Sequence, residues 1–198
     1  MSSHDGPGRP ADAELTARIL DAVVAELEDG GYAGLRIERV AARAGCGKTA
    51  IYRRYADRGV LAAAAIRRHL VLGEMPDTGS VVDDLLAHVE QNQANQAQNA
   101  ARIGFSSVAR SAFASDVFPH LWESFFAARR DQGVAILRRG AARGELSADA
   151  DPDLILDALA GLTLYRQGVK GVTIAREEYR DVIAALLRLP PRRHPLAP

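Results

Sequence analysis

Ile37, Val40, Ala41 and Ala44 recur at i, i+3, i+4 and i+7, the charged Glu38, Arg39 and Arg43 lie between them, and Gly45 follows at once. That spacing commits the segment to a helix with one buried face. Gly45 supplies the positive φ that a sharp exit from a helix requires. A second short helical pattern opens at Gly47 or Lys48 and runs to Tyr55, with Ile51 and Tyr55 four apart on a face that can pack on the first helix. Lys48, Thr49, Tyr52, Arg53 and Arg54 are left to project elsewhere. Two helices joined in this way form a helix-turn-helix, and the projecting residues are of the types DNA requires. Arg and Lys reach guanine O6 and N7 or phosphates, Thr serves either, and a Tyr hydroxyl donates to a phosphate oxygen.

The same stretch also reads Ala42-x-x-x-x-Gly47-Lys48-Thr49, one glycine short of a phosphate-cradling P-loop. A P-loop needs a buried strand running into it, which would read as a continuous apolar run. The helical spacing before Gly45 excludes that, and Val81-Val82-Asp83 is too short an apolar run for a Walker-B strand. A nucleotide hydrolase is therefore the weaker alternative. No nucleophile, base and orienter stand at recognisable positions, so no catalytic residues are assigned and the chain is read as a non-enzyme.

Charge placement supports DNA over nucleotide. The chain is neutral overall, with 25 basic and 25 acidic residues. Residues 36–68 hold nine basic side chains (Arg36, Arg39, Arg43, Lys48, Arg53, Arg54, Arg58, Arg67, Arg68) against Glu38 and Asp57, a local +7, whereas residues 1–35 carry two basic and seven acidic, −5. A basic stripe on a neutral chain is the footprint of a dedicated DNA-contacting element.

The remainder reads as helices, and no strand competes. A polar tail over 1–10 precedes a helix from about Ala11 to Asp29, with Ile19, Val23 and Leu27 on one face and Gly30-Gly31 as its stop. Further helices are expected at about 58–72, 81–100, 103–114, 118–143, 152–167 and 176–189. The start at Asp151-Pro152-Asp153 is the clearest, a capping acid followed by Pro at the first helical position. Pro190 opens a Pro-rich tail. The expected organisation is all-α: a tail over 1–10, a three-helix DNA-binding domain over 11–57, a bundle of five or six helices over 58–189, and a tail over 190–198. No apolar run approaches the about 18 residues that span a membrane, and no apolar signal segment opens the chain, so a cytoplasmic location is expected. A single cysteine, Cys46, excludes an internal disulfide, and the five scattered histidines indicate no metal site or other cofactor.

Residues 15–61 resemble the DNA-binding domain of TetR-family transcriptional regulators through Gly31-Tyr32, Ala41-Ala42-Arg43-Ala44-Gly45, Ile51-Tyr52-Arg53-Arg54-Tyr55 and Leu61. The resemblance implies base-edge contacts from Lys48, Thr49 and Arg53 and phosphate contacts from Tyr52, Arg54 and Arg58. Three positions depart from the family pattern. Arg36 stands where a Thr or Ser usually caps the second helix and becomes a phosphate candidate, Gly47 replaces the usual Ser, and Gly59 replaces an acidic residue.

The resemblance also implies what the rest of the chain does. Leu154, Ala158, Gly161, Leu162 and Tyr165 share one helical face and Tyr179, Ile183 and Leu186 another, and the family places such faces in a homodimer interface. A two-fold dimer sets its recognition helices about 34–36 Å apart and reads a pseudo-palindromic operator in double-stranded DNA. An unidentified small-molecule effector is implied in the C-terminal region. Phe105, Phe113, Phe118, Trp122, Phe125 and Phe126, all of the chain's Phe and Trp, fall within 22 positions. Aromatics of this kind line ligand cavities. His88, Asn92, Gln96 and Asn99 on the preceding helix are candidates to orient a ligand. The chain is thus expected to be a repressor released by its effector, the alternative being a DNA-binding architectural protein without one.

Overall fold

The computed structural model describes residues 8–103 and 116–192, and all regular secondary structure among them is helical apart from one isolated bridge between Ala150 and Arg192. The helices are α1 (Gly8–Gly34), α2 (Ile37–Ala44), α3 (Lys48–Tyr52), α4 (Arg58–Arg67), α5 (Val81–Ile103), α6 (Val117–Leu121), α7 (Ala127–Ala142), α8 (Pro152–Thr163) and α9 (Arg176–Arg188). A π-helical turn, Trp122–Phe126, joins α6 to α7, and a second, Leu164–Val169, extends α8. The expected helix over 103–114 lies almost wholly outside the described residues, as do the side chains of the 1–10 tail and most of the tail after Pro190.

Two compact units form. The first contains the described residues to Leu70 together with 98–103 and 116–122; the second contains 71–97 and the described residues from 123 onward. The sequence placed the first boundary at 57/58. The structure moves it past α4, because Leu61, Ala62, Ala65 and Ile66 bury the face of that helix against α1 within the first unit.

The core of the first unit gathers Ile19, Val23, Leu27, Tyr32 and Leu35 with Val40, Ala44, Ile51 and Leu61. The predicted break after Asp29 falls at Gly31, whose φ of 61° and ψ of −173° only glycine adopts readily, and a last turn then carries Tyr32 inward. Gly30 beside it has helical geometry, and a Cβ there would meet nothing within 4 Å. Gly31→Ala is therefore expected to cost about 1–3 kcal/mol of backbone strain, whereas Gly30→Ala should stabilise by about 0.4–1 kcal/mol through the unfolded chain. Urea unfolding of the two variants side by side checks both signs.

In the second unit α5, α7, α8 and α9 close around Leu85, Leu86, Ile136, Leu137, Ile155, Leu159, Tyr179 and Ile183. Asp151 caps α8 as its sequence predicts, accepting from the N–H of Asp153 at 2.9 Å and of Leu154 at 3.4 Å, with Pro152 in the first turn. Asp84 is wholly buried. Its carboxylate accepts from the backbone N–H and hydroxyl of Thr78 at 2.6 and 2.7 Å, and from Arg139 at 2.8 Å.

Candidate nucleic-acid interface and candidate effector site

The second helix ends in two reciprocal hydrogen bonds, Cys46 N–H to the Ala41 carbonyl at 3.0 Å and Gly45 N–H to the Ala42 carbonyl at 3.3 Å, with Gly45 at φ 66°. This is the Schellman arrangement that only a residue comfortable at positive φ closes without strain. Two residues on, Gly47 is extended and α3 begins without any side-chain cap; helical hydrogen bonding continues past Tyr52 through Tyr55 N–H to the Ile51 carbonyl at 3.0 Å. Ile51 is buried and Tyr55 half-buried, so one face of α3 seats on the fold as the sequence requires.

The opposite face presents Lys48, Thr49, Tyr52 and Arg53 to solvent, with Tyr52 at 52 % exposure for a large aromatic side chain. Among the described residues, Arg53 has no ion pair or side-chain hydrogen bond. Lys48 sits 3.0 Å from Glu38, and the Glu38 carboxyl is held below its usual range first by its own backbone N–H and then by Lys48. Arg36 stays exposed at the N-terminus of α2, while its guanidinium folds back on the Ala33 and Leu35 carbonyls at 2.7 and 3.2 Å.

Two expected phosphate contacts are used elsewhere. Arg54 is largely buried, donating to the Ala50 carbonyl at 2.7 Å and Thr16 Oγ1 at 3.3 Å and pairing with Asp12, so it fastens α3 to α1. The Arg58 guanidinium lies 4.4 Å from the Tyr32 ring centroid, in cation–π contact, and the Tyr32 hydroxyl donates to Asp116. Gly59 is explained nearby: a Cβ there would come within 2.9 Å of the Asp116 carbonyl oxygen, leaving no room for the acidic residue of the family pattern.

The segregated charges of the sequence largely answer one another. The acidic residues of α1 pair with the basic stripe: Glu26 with Arg39 at 2.6 Å and Arg43 at 3.1 Å, Asp29 with Arg43 at 2.6 Å, and Asp21 with Arg68 at 2.7 Å. The local +7 is therefore mostly internal structure. The exposed face of α3 carries the DNA argument instead. Glu26 was missed in the sequence, although it sits three residues after Val23 and seven after Ile19 on the buried face of α1, and an acid at such a position signals a buried partner.

A model of the bacterial regulatory proteins of the tetR family matches residues 19–65, and one of the tetracyclin repressor-like C-terminal domain matches residues 75–186. The chain belongs to the TetR family. This TetR-family helix-turn-helix transcriptional regulator is 29% identical over 184 residues to the uncharacterized HTH-type transcriptional regulator Rv1556 of Mycobacterium tuberculosis, covering 91% of this chain and 86% of the relative. Over 61 residues it is 43% identical to the HTH-type transcriptional repressor SCO4008 of Streptomyces coelicolor, covering 30% and 32% of the two chains. The crystal structure of the TetR family transcription regulator SCO0332 superposes with a TM-score of 0.61 at 27% identity, over 88% of this chain and 97% of that one.

In the second unit of this TetR-family regulator, the candidate ligand residues fall in different places. His88 and Phe125 are buried, Asn92 and Phe126 half-buried, and the Phe125 and Phe126 rings meet edge to face with centroids 5.3 Å apart. Trp122 belongs to the first unit and is 40 % exposed beside Phe118, which argues against its role as a buried lining residue. Phe105 and Phe113, and the side chains of Gln96 and Asn99, lie outside the described residues.

The candidate dimer residues divide by face. Leu154, Ala158, Gly161 and Tyr165 are all exposed along one side of α8 and its π-helical extension, which adds Leu164 and Val169. Tyr179 and Ile183 are corrected: both are completely buried in their own unit, and Leu162 and Leu186 pack partly buried against that same core. The apolar stripe of α9 thus faces inward, while Arg176, Glu177, Arg180 and Asp181 face solvent.

Proposed function

We propose that this TetR-family regulator is a repressor that binds a pseudo-palindromic operator as a homodimer and leaves it when a small-molecule effector occupies the second unit. The observation that carries the reading is the solvent-facing set Thr49, Tyr52 and Arg53 on a helix seated through Ile51, with Lys48 beside it. Arg53, without a side-chain partner among the described residues, is the base-reading candidate, and Thr49 and Tyr52 flank it for base or phosphate contact. The repressor sense is supported by the likeness over 61 residues to the transcriptional repressor SCO4008. An effector acts by binding one of two dimer arrangements better than the other, so that the half-site spacing no longer fits the operator.

Titration against the promoter DNA flanking the protein's own gene tests this. Specific affinity should fall with salt, with a log–log slope of about −0.9 per phosphate neutralised. Arg53→Ala should cost about 1–3 kcal/mol on the specific site and little on random DNA. Equal losses on both would make Arg53 a phosphate contact, and no specific binding to any flanking segment would sink the repressor reading.

The exposed apolar face of Leu154, Leu164, Tyr165 and Val169 supports the dimer, since a patch of such side chains marks an association surface. Small residues at Ala158 and Gly161 let a facing helix come close. Leu164→Glu combined with Tyr165→Glu should convert the dimer to a folded monomer by light scattering and weaken operator binding at least tenfold. A wild-type monomer that still binds a palindrome tightly would overturn the dimer.

A further inference from the structure

Six polar or charged residues are buried among the described residues, and the fold partners four of them. Glu26 has Arg39 and Arg43; Asp84 has Thr78 and Arg139. Asn95 exchanges hydrogen bonds with the Val71 N–H at 3.0 Å and carbonyl at 2.9 Å, and Thr163 donates to the Leu159 carbonyl at 2.8 Å. The remaining two, Arg129 at 8 % exposure and His88 at 5 %, are neighbours in the core of the second unit. Arg129 Nη2 donates to the His88 carbonyl at 2.5 Å, but among the described residues its Nη1 and the His88 Nδ1 have no hydrogen-bond partner, and no carboxylate pairs with the guanidinium.

An isolated buried cation is among the most costly groups a core can hold, and removal of a partner from a buried pair destabilises strongly. Among the described residues, the other buried charges, Glu26 and Asp84, are matched with their opposite. Arg129 is the exception, and it lies in α7 with the His88 imidazole and the Tyr179 hydroxyl within electrostatic reach. A Cβ at Gly133 would lie 3.3 Å from His88 Nε2 and 2.8 Å from Leu156, so the glycine lets α7 pass close beside the imidazole. Nδ1 is the imidazole nitrogen that is buried without a hydrogen-bond partner among the described residues.

We propose that Arg129 and His88 form a buried carboxylate-binding position that takes a monoanionic acid with an apolar body. The assignment deepens the effector reading above and rests on it for its regulatory consequence. Burial, then the Arg129 charge, push the His88 imidazole down to about 3, so it is neutral at pH 7. Burial lowers Arg129 to about 10, which leaves it charged. The position therefore carries one positive charge, which one carboxylate balances and a phosphate dianion would reverse. A carboxylate matches the planar guanidinium fork, and its second oxygen can accept from the imidazole N–H. The core around them, with Phe125, Leu156, Leu159 and Tyr179, suits an apolar body.

The test uses the full chain with butanoate, octanoate, dodecanoate and benzoate, each beside its neutral amide, in thermal unfolding and titration calorimetry. At least one acid should raise Tm while its amide does not. Arg129→Met should leave the ligand-free Tm unchanged or higher, because it removes an uncompensated charge, and should weaken the acid by about tenfold to hundredfold. Equal binding of acids and amides, no response to any of the four acids, or a drop of several degrees in the ligand-free Arg129→Met protein overturns the proposal. Operator titrations separate the two readings. An acid that binds through Arg129 without changing operator affinity keeps the site and sinks the effector function. Release of the operator by the neutral amides alone keeps an effector and sinks the carboxylate position.

Discussion

Ile51→Ala will remove about 2–5 kcal/mol from the first unit and reduce operator binding below detection, while the second unit stays folded. The reason lies in how little holds α3. It is five residues long, its N-cap is Gly47 with no side-chain acceptor, and its exposed face is committed to solvent. A helix this short has no stability of its own in water. Ile51 is its one fully buried side chain, and Tyr55 just beyond it is only half-buried. Truncation leaves a cavity beneath the recognition face, and Thr49, Tyr52 and Arg53 lose their fixed register against DNA. Arg54, through Asp12, Thr16 and Ala50, is the second tether and explains why the loss is of seating rather than of the whole unit. Circular dichroism during urea unfolding, together with operator titration, measures both effects. Operator affinity within threefold of wild type would show that α3 is held by something other than Ile51.

Asp84→Ala is expected to destabilise the second unit by about 3–5 kcal/mol, the usual result of removing one partner from a buried ionic cluster. Thr78 loses the acceptor for its N–H, and Arg139 and Arg143 lose their buried partner and keep only the exposed Asp77 and, for Arg143, Glu145; Arg143 lies 3.6 Å from the Asp84 carboxylate at present. The same site gives stability a pH dependence with a definite sign. Burial opposes the charge on Asp84, but the hydrogen bonds from Thr78 and Arg139 outweigh it and hold the carboxyl below its ordinary 3.8. The unfolded chain therefore binds a proton before the folded chain does. The contribution of Asp84 is complete above the unfolded value and is lost as pH falls through the folded one. Asp84→Asn, which cannot titrate, should flatten the acid limb of stability against pH in addition to lowering the plateau. A limb as steep as that of the wild type would assign the acid sensitivity to other carboxylates.

The helix-turn-helix was legible because every signal for it is local. Four apolar positions before Gly45, and Ile51 with Tyr55 after it, lie within nineteen consecutive residues and need no knowledge of the remaining fold. Asp151-Pro152 marks the start of α8 for the same reason, since capping is settled between neighbouring residues. The candidate DNA contacts were legible only in part. Periodicity identified which residues leave the packed face of α3, but it could not say that Arg54 finds Asp12, forty-two positions away, or that Arg58 finds the Tyr32 ring. The basic run over 36–68 is balanced in the same way, because a run of like charge in sequence says nothing of the opposite run that folds against it.

Sequence alone determined the all-helical class, the turn at Gly45, the exposed placement of Thr49, Tyr52 and Arg53, and the apolar stripes along α8 and α9. Tertiary structure alone decided which stripe faces solvent: Leu154 and Tyr165 remain outside, whereas Tyr179 and Ile183 are enclosed. It also placed α4 on α1, set Gly59 against Asp116, and left Arg129 buried beside His88 without a counter-charge among the described residues. The division has a physical origin. Helical periodicity is written by near neighbours along the chain, but burial and charge compensation depend on the rotation of one helix against another and on partners far apart in sequence.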